Sequence, residues 1–518
     1  MRPTHWEPVV ELSAAEQAIL RRIRRAKLFV FLRQWRHELC SSAFQDELAA
    51  LYKDSRLGQP PVPPAQLALA TILQAYTGVS DDEVIEATTM DRRWQLVLDC
   101  LDAEQPPFSK GTLVAFRTRL IAQDLDRRLV ECTVELAVVR AGFGARPLRA
   151  ALDSSPLWGA GRVEDTWNLL GHALRKAVGI LARQQGRGLA DLAAAAGARV
   201  VAGPSLKAVL DSDWDDPAAR LAALTQVLGA LDAVEQWLAS AAQPIPSPNV
   251  ADALALAHTV RAQDIEITAA GAPALCQGVA RDRRISVEDG EMRHGRKSRS
   301  QRVDGYKRHV LHDLDVGVVR AVGITPANVP EAAVTAALGA DLAEQRVELA
   351  ELHIDRAYLS SSWVRERSPD LTIYCKAWPV RNGGRFPKTA FTLDWERGLI
   401  RCPEQTVIPF RPGGVVHFPP ATCAACPSQP RCTTSAHGRS VAIHPDERLL
   451  TELRQRQVTT AGRARLRERV AVEHTLAHVG RWQGWRARYR GRRKNLFDLR
   501  RCAVVHNLHV IARLPAAA

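Results

Sequence analysis

LRAALDSS, residues 148–155, decides how this chain is read. It is a short, mainly apolar run closed by Pro156, the pattern of a buried β-strand. Asp153 follows Leu152 where the apolar part stops, and an aspartate ending a β-run places a carboxylate at the edge of a sheet. ELHID, residues 351–355, repeats the arrangement and ends on Asp355. KRHVLHDLD and GVVRAVGITP, roughly residues 307–326, read as two strands around a turn at Leu314–Gly317. LTIYCKAW, residues 371–378, reads as a further apolar strand.

Away from these strands the chain is helical. Residues 10–140 carry apolar residues at helical spacing, with Ser13, Ser80 and Ser109 or Thr112 as N-caps. PPFSKGTLVAFRTRL, residues 106–120, is a break followed by a helix from which Lys110, Arg117 and Arg119 would project, as in the recognition end of a helix-turn-helix. Residues 166–275 are alanine-rich and helical, punctuated by PIPSPN at 244–249. Residues 391–432 look like small hairpins around cysteines, and residues 446–476 like one long helix or two. RERVAVEHTLAHV, residues 467–479, places Glu473 on a helix. The expected organisation is a helical N-terminal domain over 1–140 and an α/β domain over 145–518. A helical insertion at 166–280 and a cysteine-rich insertion at 380–445 would interrupt the second.

The chain has 518 residues, 70 of them Lys or Arg and 56 Asp or Glu, for a net charge of +14. No stretch approaches the roughly 18 apolar residues of a membrane span. The first 27 residues lack the apolar core of a signal peptide, and the 10 cysteines are thinly spread, so a cytoplasmic protein is expected. The charge is uneven. Residues 1–150 hold 20 basic and 19 acidic side chains, whereas the last 68 residues hold 16 and 4. Arg486, Arg488, Arg490, Arg492, Arg493 and Lys494 occur with no acid among them, interleaved with Trp485 and Tyr489. Arginine forks grip phosphate and aromatic rings stack on bases, so a nucleic-acid partner is expected. A second basic block runs from Arg281 to Arg308, with 10 basic and 5 acidic residues.

Two strand-end carboxylates and one on a helix are what a Mg²⁺ site needs, because Mg²⁺ prefers oxygen ligands and keeps several waters. Two such ions about 4 Å apart can drive phosphodiester displacement. Sequence alone does not bring Asp153, Asp355 and Glu473 together. Cys423 and Cys426 are spaced CxxC, Cys432 follows, and Cys402 precedes them on a hairpin. Four thiolates of this kind suit a structural, tetrahedral Zn²⁺. His474 and His478 lie one helical turn apart without the HExxH pattern, which excludes a metalloprotease.

Asp153 with the SSPLWGAGRVEDTWNLLGHA that follows it, then HGRKSRSQRVDGYKRHV, ITPANVPEA, HIDRAYLSS and RVAVEHTLAHVGRWQG, occur in that order. Together they resemble the DDE transposases of bacterial insertion sequences, in the subgroup with a helical N-terminal domain. LGQPPVPPAQLALATILQAYTGVSDDEVIEA, residues 57–87, resembles that domain. The resemblance implies an RNase H-like mixed five-stranded sheet flanked by helices, with metal-binding acids at Asp153, Asp355 and Glu473. It implies two Mg²⁺ ions, with Mn²⁺ as a substitute. Arg469, four residues before Glu473, matches a basic position of the family, whereas Leu466 and Gly480 stand where relatives often carry Tyr and Lys; Arg481, next to the latter, is expected to contact DNA. Lys297, Arg299, Tyr306 and Lys307 resemble a stretch expected to contact the DNA backbone near the active site. The implied activity is metal-dependent cleavage at the ends of the element and transfer of the 3′-OH into target DNA. The implied partners are double-stranded DNA, as terminal inverted repeats and as target, and a second copy of the chain, with no membrane. A nucleoid-associated cytoplasmic location follows. The rival readings are a nuclease of the same fold without strand transfer and an inactive DNA-binding relative.

Overall fold

The computed structural model describes residues 2–54, 60–142, 146–203, 205–240, 247–297 and 300–515. Its centre is a mixed sheet built from strands β1 (Leu148–Trp158), β2 (Arg302–Asp313), β3 (Val319–Pro326), β4 (Leu349–Ile354) and β5 (Thr372–Tyr374). The spatial order is β3-β2-β1-β4-β5. β2 runs antiparallel to β1 and β3, while β4 and β5 run parallel to β1 and to each other. This is an RNase H-like sheet. A sixth short strand, Arg293–Arg296, pairs with the start of β2.

The strands expected over 307–326 and 371–378 are found as 302–313, 319–326 and 372–374. β1 differs from its expected form, because it does not stop near Asp153 but continues to Trp158, paired with β2 as far as Gly305. What stops is its other neighbour: the β1–β4 ladder ends at Leu152↔Ile354. Asp153 sits mid-strand, at the point where the sheet opens on one side.

Alternation along β1 assigns its side chains to two layers. Ala150 and Leu152 join the apolar cluster that contains Leu338 and Leu342 of the helix Thr335–Glu344. Ala151 joins the opposite cluster, which contains Val472, Leu476 and Val479 of the helix Val470–Gln483 and much of the C-terminal helix Arg492–Ile511. All three β1 residues are fully buried, as expected where both faces of a sheet are covered.

The second cluster also takes in the N-terminal helices. Leu69, Leu73 and Phe116 share it with Phe497, Val504 and Leu508, so the C-terminal helix is the common wall between the N-terminal region and the sheet. The segment after β1 folds on itself. Helices Thr166–Gln184, Pro217–Ala239 and Pro248–Asp264 enclose a separate apolar cluster and end in a small hairpin, Ile265–Ile267 with Pro273–Leu275. The cysteine-rich stretch forms a three-stranded and a two-stranded sheet around a seven-residue core that includes Phe391, Ile400, Phe410 and Phe418. The stretch expected as one or two helices is three: Glu447–Val458, Thr460–Arg467 and Val470–Gln483. Among the described residues no helix is long and apolar enough to cross a membrane.

Candidate active site

Register explains how two acids 202 residues apart become neighbours. Leu152 and Ile354 are paired on adjacent parallel strands, so Asp153 and Asp355, one residue further on each, are side by side. Parallel strands lie about 4.8 Å apart, and paired positions point to the same face. That face also bears Ala151, and it is where the helix Val470–Gln483 packs. The chain leaves β4 at once: the Asp355 carboxylate accepts a hydrogen bond from the Arg356 backbone N–H at 2.7 Å and caps a single turn of 3₁₀ helix, Arg356–Tyr358.

Glu473 lies in the first turn of its helix, one turn after Arg469. The Arg469 guanidinium joins the two elements. Its Nη1 donates to Asp153 Oδ2 at 2.5 Å and its Nη2 to Glu473 Oε1 at 2.6 Å. Asp153, Asp355, Glu473 and Arg469 all line one pocket of about 680 Å³. Burial pushes the Asp153 carboxyl above its usual range; Glu473 adds to this, while Arg469 and the Ser154 N–H oppose it. A raised carboxyl pKa beside a second acid is the electrostatic signature of clustered acids, which Arg469 here offsets. The oxygen-only donor set fits a hard divalent ion.

Behind the acids is a polar relay. The His309 ring is hydrogen-bonded to the Tyr358 hydroxyl and to the Thr325 hydroxyl, both at 2.9 Å. Burial lowers the His309 pKa to about 3, so the ring is neutral and structural. A second network fixes the approach to the Glu473 helix. Glu351, His353 and Glu468 form a group whose donor atoms lie within 4.8 Å of one another, a spacing that, among the described residues, neither the acid trio nor the four cysteines reaches. Their carboxylates are already committed, however. Arg149 reaches Glu468 at 2.5 Å and Glu351 at 3.3 Å, and Arg465 reaches Glu468 at 2.9 Å and also Glu351. Two guanidiniums neutralise two glutamates, so this cluster reads as a clamp between β1, β4 and the turn before Arg469. Sequence reasoning misses it because its members are up to 319 residues apart.

The expected DNA-contacting residues divide. Lys297 and Arg481 are exposed, line the acid-bearing pocket and make no ion pair among the described residues. Lys307 lines it too, anchored to Glu331 at 2.9 Å. Arg299 lies outside the described residues. Tyr306 is a correction: it is fully buried, and its hydroxyl donates to Asp289 Oδ1 at 2.5 Å, so it braces the chain and does not face DNA. The C-terminal run is also largely spent internally. Arg486 donates to the carbonyls of Gly159 and Ala160, Arg488 to that of Trp482, and Arg490 and Arg492 pair with Glu288 and Glu291. Arg493 pairs with the fully buried Asp126. Of that run, Lys494 is exposed and makes no ion pair among the described residues. In the N-terminal helix, too, Lys110 pairs with Asp82, Arg117 is buried against Asp81 and Gln74, and Arg119 covers the Tyr52 ring.

Arg308, on the pocket's rim, is not singled out by sequence as a site residue. Arg308 is buried and donates to Ser155 Oγ, Gln483 Oε1 and the Gly484 carbonyl. A Cβ at Gly480 would lie 3.1 Å from Arg308 Nη2, so the guanidinium packs closely against this glycine. Trp485 is 75% exposed and lines the same pocket. His478 is hydrogen-bonded to His506 and packed on Trp482, a structural histidine.

The four candidate zinc ligands, Cys402, Cys423, Cys426 and Cys432, surround one cavity of about 30 Å³. Burial raises the Cys432 thiol pKa, and proximity of the other three thiols adds to the effect.

Residues 19–119 match the family described as Transposase domain (DUF772). Residues 266–371 and 412–512 each match a family described as Transposase DDE domain. The chain belongs to the DDE transposases. Asp355 and Glu473 fall within the two DDE matches, whereas Asp153 precedes them. No curated protein and no solved structure matches the chain. As a DDE transposase the protein acts on DNA and depends on a divalent metal ion.

Proposed function

We propose that this transposase cuts DNA at the ends of an insertion sequence and joins each freed 3′-OH to target DNA, acting as a homodimer that holds two ends. The observation that carries the reading is the convergence of Asp153, Asp355 and Glu473 on one pocket with Arg469 between two of them. Bound between these three carboxylates, two Mg²⁺ ions (or Mn²⁺) would activate the attacking oxygen and neutralise the leaving one. The chain's residues do the rest. Asp153 and Asp355 are fixed by strand register, and Glu473 by the clamp that anchors its helix. Arg469 holds Asp153 and Glu473 in place before metal arrives and is then free to face a phosphate. Lys297, Lys307 and Arg481 supply positive charge to the strand lying over the acids.

The steps balance without a nucleotide cofactor. Water attacks phosphorus, the bond to the 3′ oxygen breaks, and that oxygen leaves as a hydroxyl after taking a proton. The hydroxyl then attacks a target phosphodiester, one P–O bond forming for each that breaks. The test is Asp153→Asn with purified protein, a terminal-repeat duplex and a separate target. DNA binding is retained while cleavage and joining fall by about 10²–10³-fold or more, the scale lost when a charge-stabilising group is removed. Full activity in that variant overturns the assignment, and cutting without any joining by the parent protein reduces the function to that of a nuclease.

We further propose that Cys402, Cys423, Cys426 and Cys432 hold a structural Zn²⁺. A seven-residue apolar core is too small to hold two sheets unaided, and a metal staple compensates for this. Elemental analysis is expected to give one zinc per chain, lost in Cys423→Ser together with a lower melting temperature. Zinc-free protein with unchanged melting rejects the assignment.

A further inference from the structure

A cleft of about 770 Å³ adjoins the acid-lined pocket. Arg296, Lys307, Ala327 and Glu331 line both, so the two depressions adjoin across a shared rim. One wall of the cleft is the sixth strand, Arg293–Arg296, with Arg302. The other comes from the end of the helical insertion and the segment Leu275–Arg283. A close backbone approach sets the shared rim: a Cβ at Gly295 would lie 2.1 Å from the Ala327 carbonyl oxygen.

The cleft is strongly basic. Arg281, Arg283, Arg293, Arg296, Arg302 and Lys307 line it, against the carboxylates of Asp264 and Glu331. Both carboxylates are already paired, Asp264 with Arg283 at 2.7 Å and Glu331 with Lys307 at 2.9 Å. Arg293 pairs with Asp282 at 2.7 Å and Arg302, 61% exposed, with Asp304 at 3.3 Å, whereas Arg281 is exposed and makes no ion pair among the described residues. Six cations against the four carboxylates that pair with them, Asp264, Asp282, Asp304 and Glu331, leave the cleft net positive beside the acid-lined pocket, an electrostatic footprint for a polyanion.

We propose that this cleft binds the DNA backbone beyond the scissile phosphate, so that the helical insertion supplies one wall of a second DNA tract. The inference rests on the proposed function above. The same phosphates could belong to the flank of the cut end or to the target duplex, and two arms of one experiment separate them. Asp153→Asn protein, which retains its DNA without cutting it, is titrated with fluorescent terminal-repeat duplexes. One ends flush at the cleavage position and the other extends by one helical turn, about 10 base pairs. For the target, the complex with the flush duplex is titrated with an unrelated duplex.

Arg281→Ala and Arg302→Ala are added to the same background; both side chains are exposed and their loss leaves the fold intact. The expected result is tighter binding of either the extended duplex or the target duplex than of the flush one's own contacts explain. The double substitution abolishes that gain, lowers its salt slope by about two units and leaves flush-duplex affinity unchanged. A gain in the first arm assigns the cleft to flank, and in the second to target. A gain that survives both substitutions, or no gain in either arm, overturns the inference while leaving the proposed function intact. Failure to bind the flush duplex at all overturns both.

Discussion

Arg490 and Arg492 each face a glutamate of the loop Glu288–Glu291, whereas Lys297 and Arg481 face the acid-lined pocket without an ion pair among the described residues. The two basic tracts are thus coupled. The block 281–308 spends Glu288, Asp289 and Glu291 on the C-terminal run: Arg490 and Arg492 take the glutamates, and the Gly491 N–H donates to Asp289. This leaves the block's own cations in excess beside the acid-lined pocket. Net charge by segment points to the C-terminal run as the DNA grip. Geometry makes much of that run a seam, because a guanidinium's donors are equally satisfied by carboxylates, carbonyls or phosphates.

The largest expected effect tests the seam at its deepest point. Asp126 is fully buried and is met by Arg493 and by Arg500, itself 4% exposed. Removing both cations leaves a buried charge unpaired, which costs about 3–5 kcal/mol. Arg493→Ala with Arg500→Ala is therefore expected to lower the denaturation midpoint severely, while the fraction that remains folded binds DNA with unchanged affinity. Loss of DNA binding at unchanged stability would return Arg493 to the DNA-contacting set.

How far the sequence shows this arrangement depends on the distance over which each feature is encoded. Strand-end acids are local patterns, and Asp153, Asp355 and Glu473 are readable as candidates from their own segments. Arg469 is readable because a spacing of four is one helical turn. The strand extension beyond Asp153 is hidden, since residues 153–158 carry no unbroken apolar run; its order comes from pairing with β2. Tyr306 looks like a surface aromatic in a basic stretch, and only Asp289, 17 residues earlier, explains its burial. The clamp around Glu351 and Glu468 is invisible because each ion pair spans more than a hundred residues apart from Arg465–Glu468. Periodicity reports burial along one element. It says nothing about which partner a charge meets.

A smaller effect probes the other side of the comparison. Lys297→Ala and Arg481→Ala remove cations exposed at the pocket, so each is expected to reduce the salt slope of DNA binding by about one unit. Melting temperature should stay within the roughly ±0.5 kcal/mol equivalent of ordinary surface substitutions. An unchanged slope with lowered stability would place these two residues in the seam as well, and the distinction between the tracts would fail.

The smallest effect belongs to Arg490, and it is the most discriminating. The pair with Glu288 is 2.5 Å long, but the side chains are 57% and 35% exposed, so solvent screens it. Such pairs contribute about 0–1 kcal/mol. If pairing is what Arg490 does, Arg490→Ala and Glu288→Ala have similar small effects on melting, and the double variant is no worse than either alone. If Arg490 grips phosphate, the two substitutions part company: Arg490→Ala weakens DNA binding, whereas Glu288→Ala frees the cation and strengthens it. The seam assignment requires DNA affinity to respond weakly to Arg490→Ala. A tightened complex in Glu288→Ala would show that this exposed pair is a competitor for DNA, with the loop acids holding an arginine that the polyanion can take over.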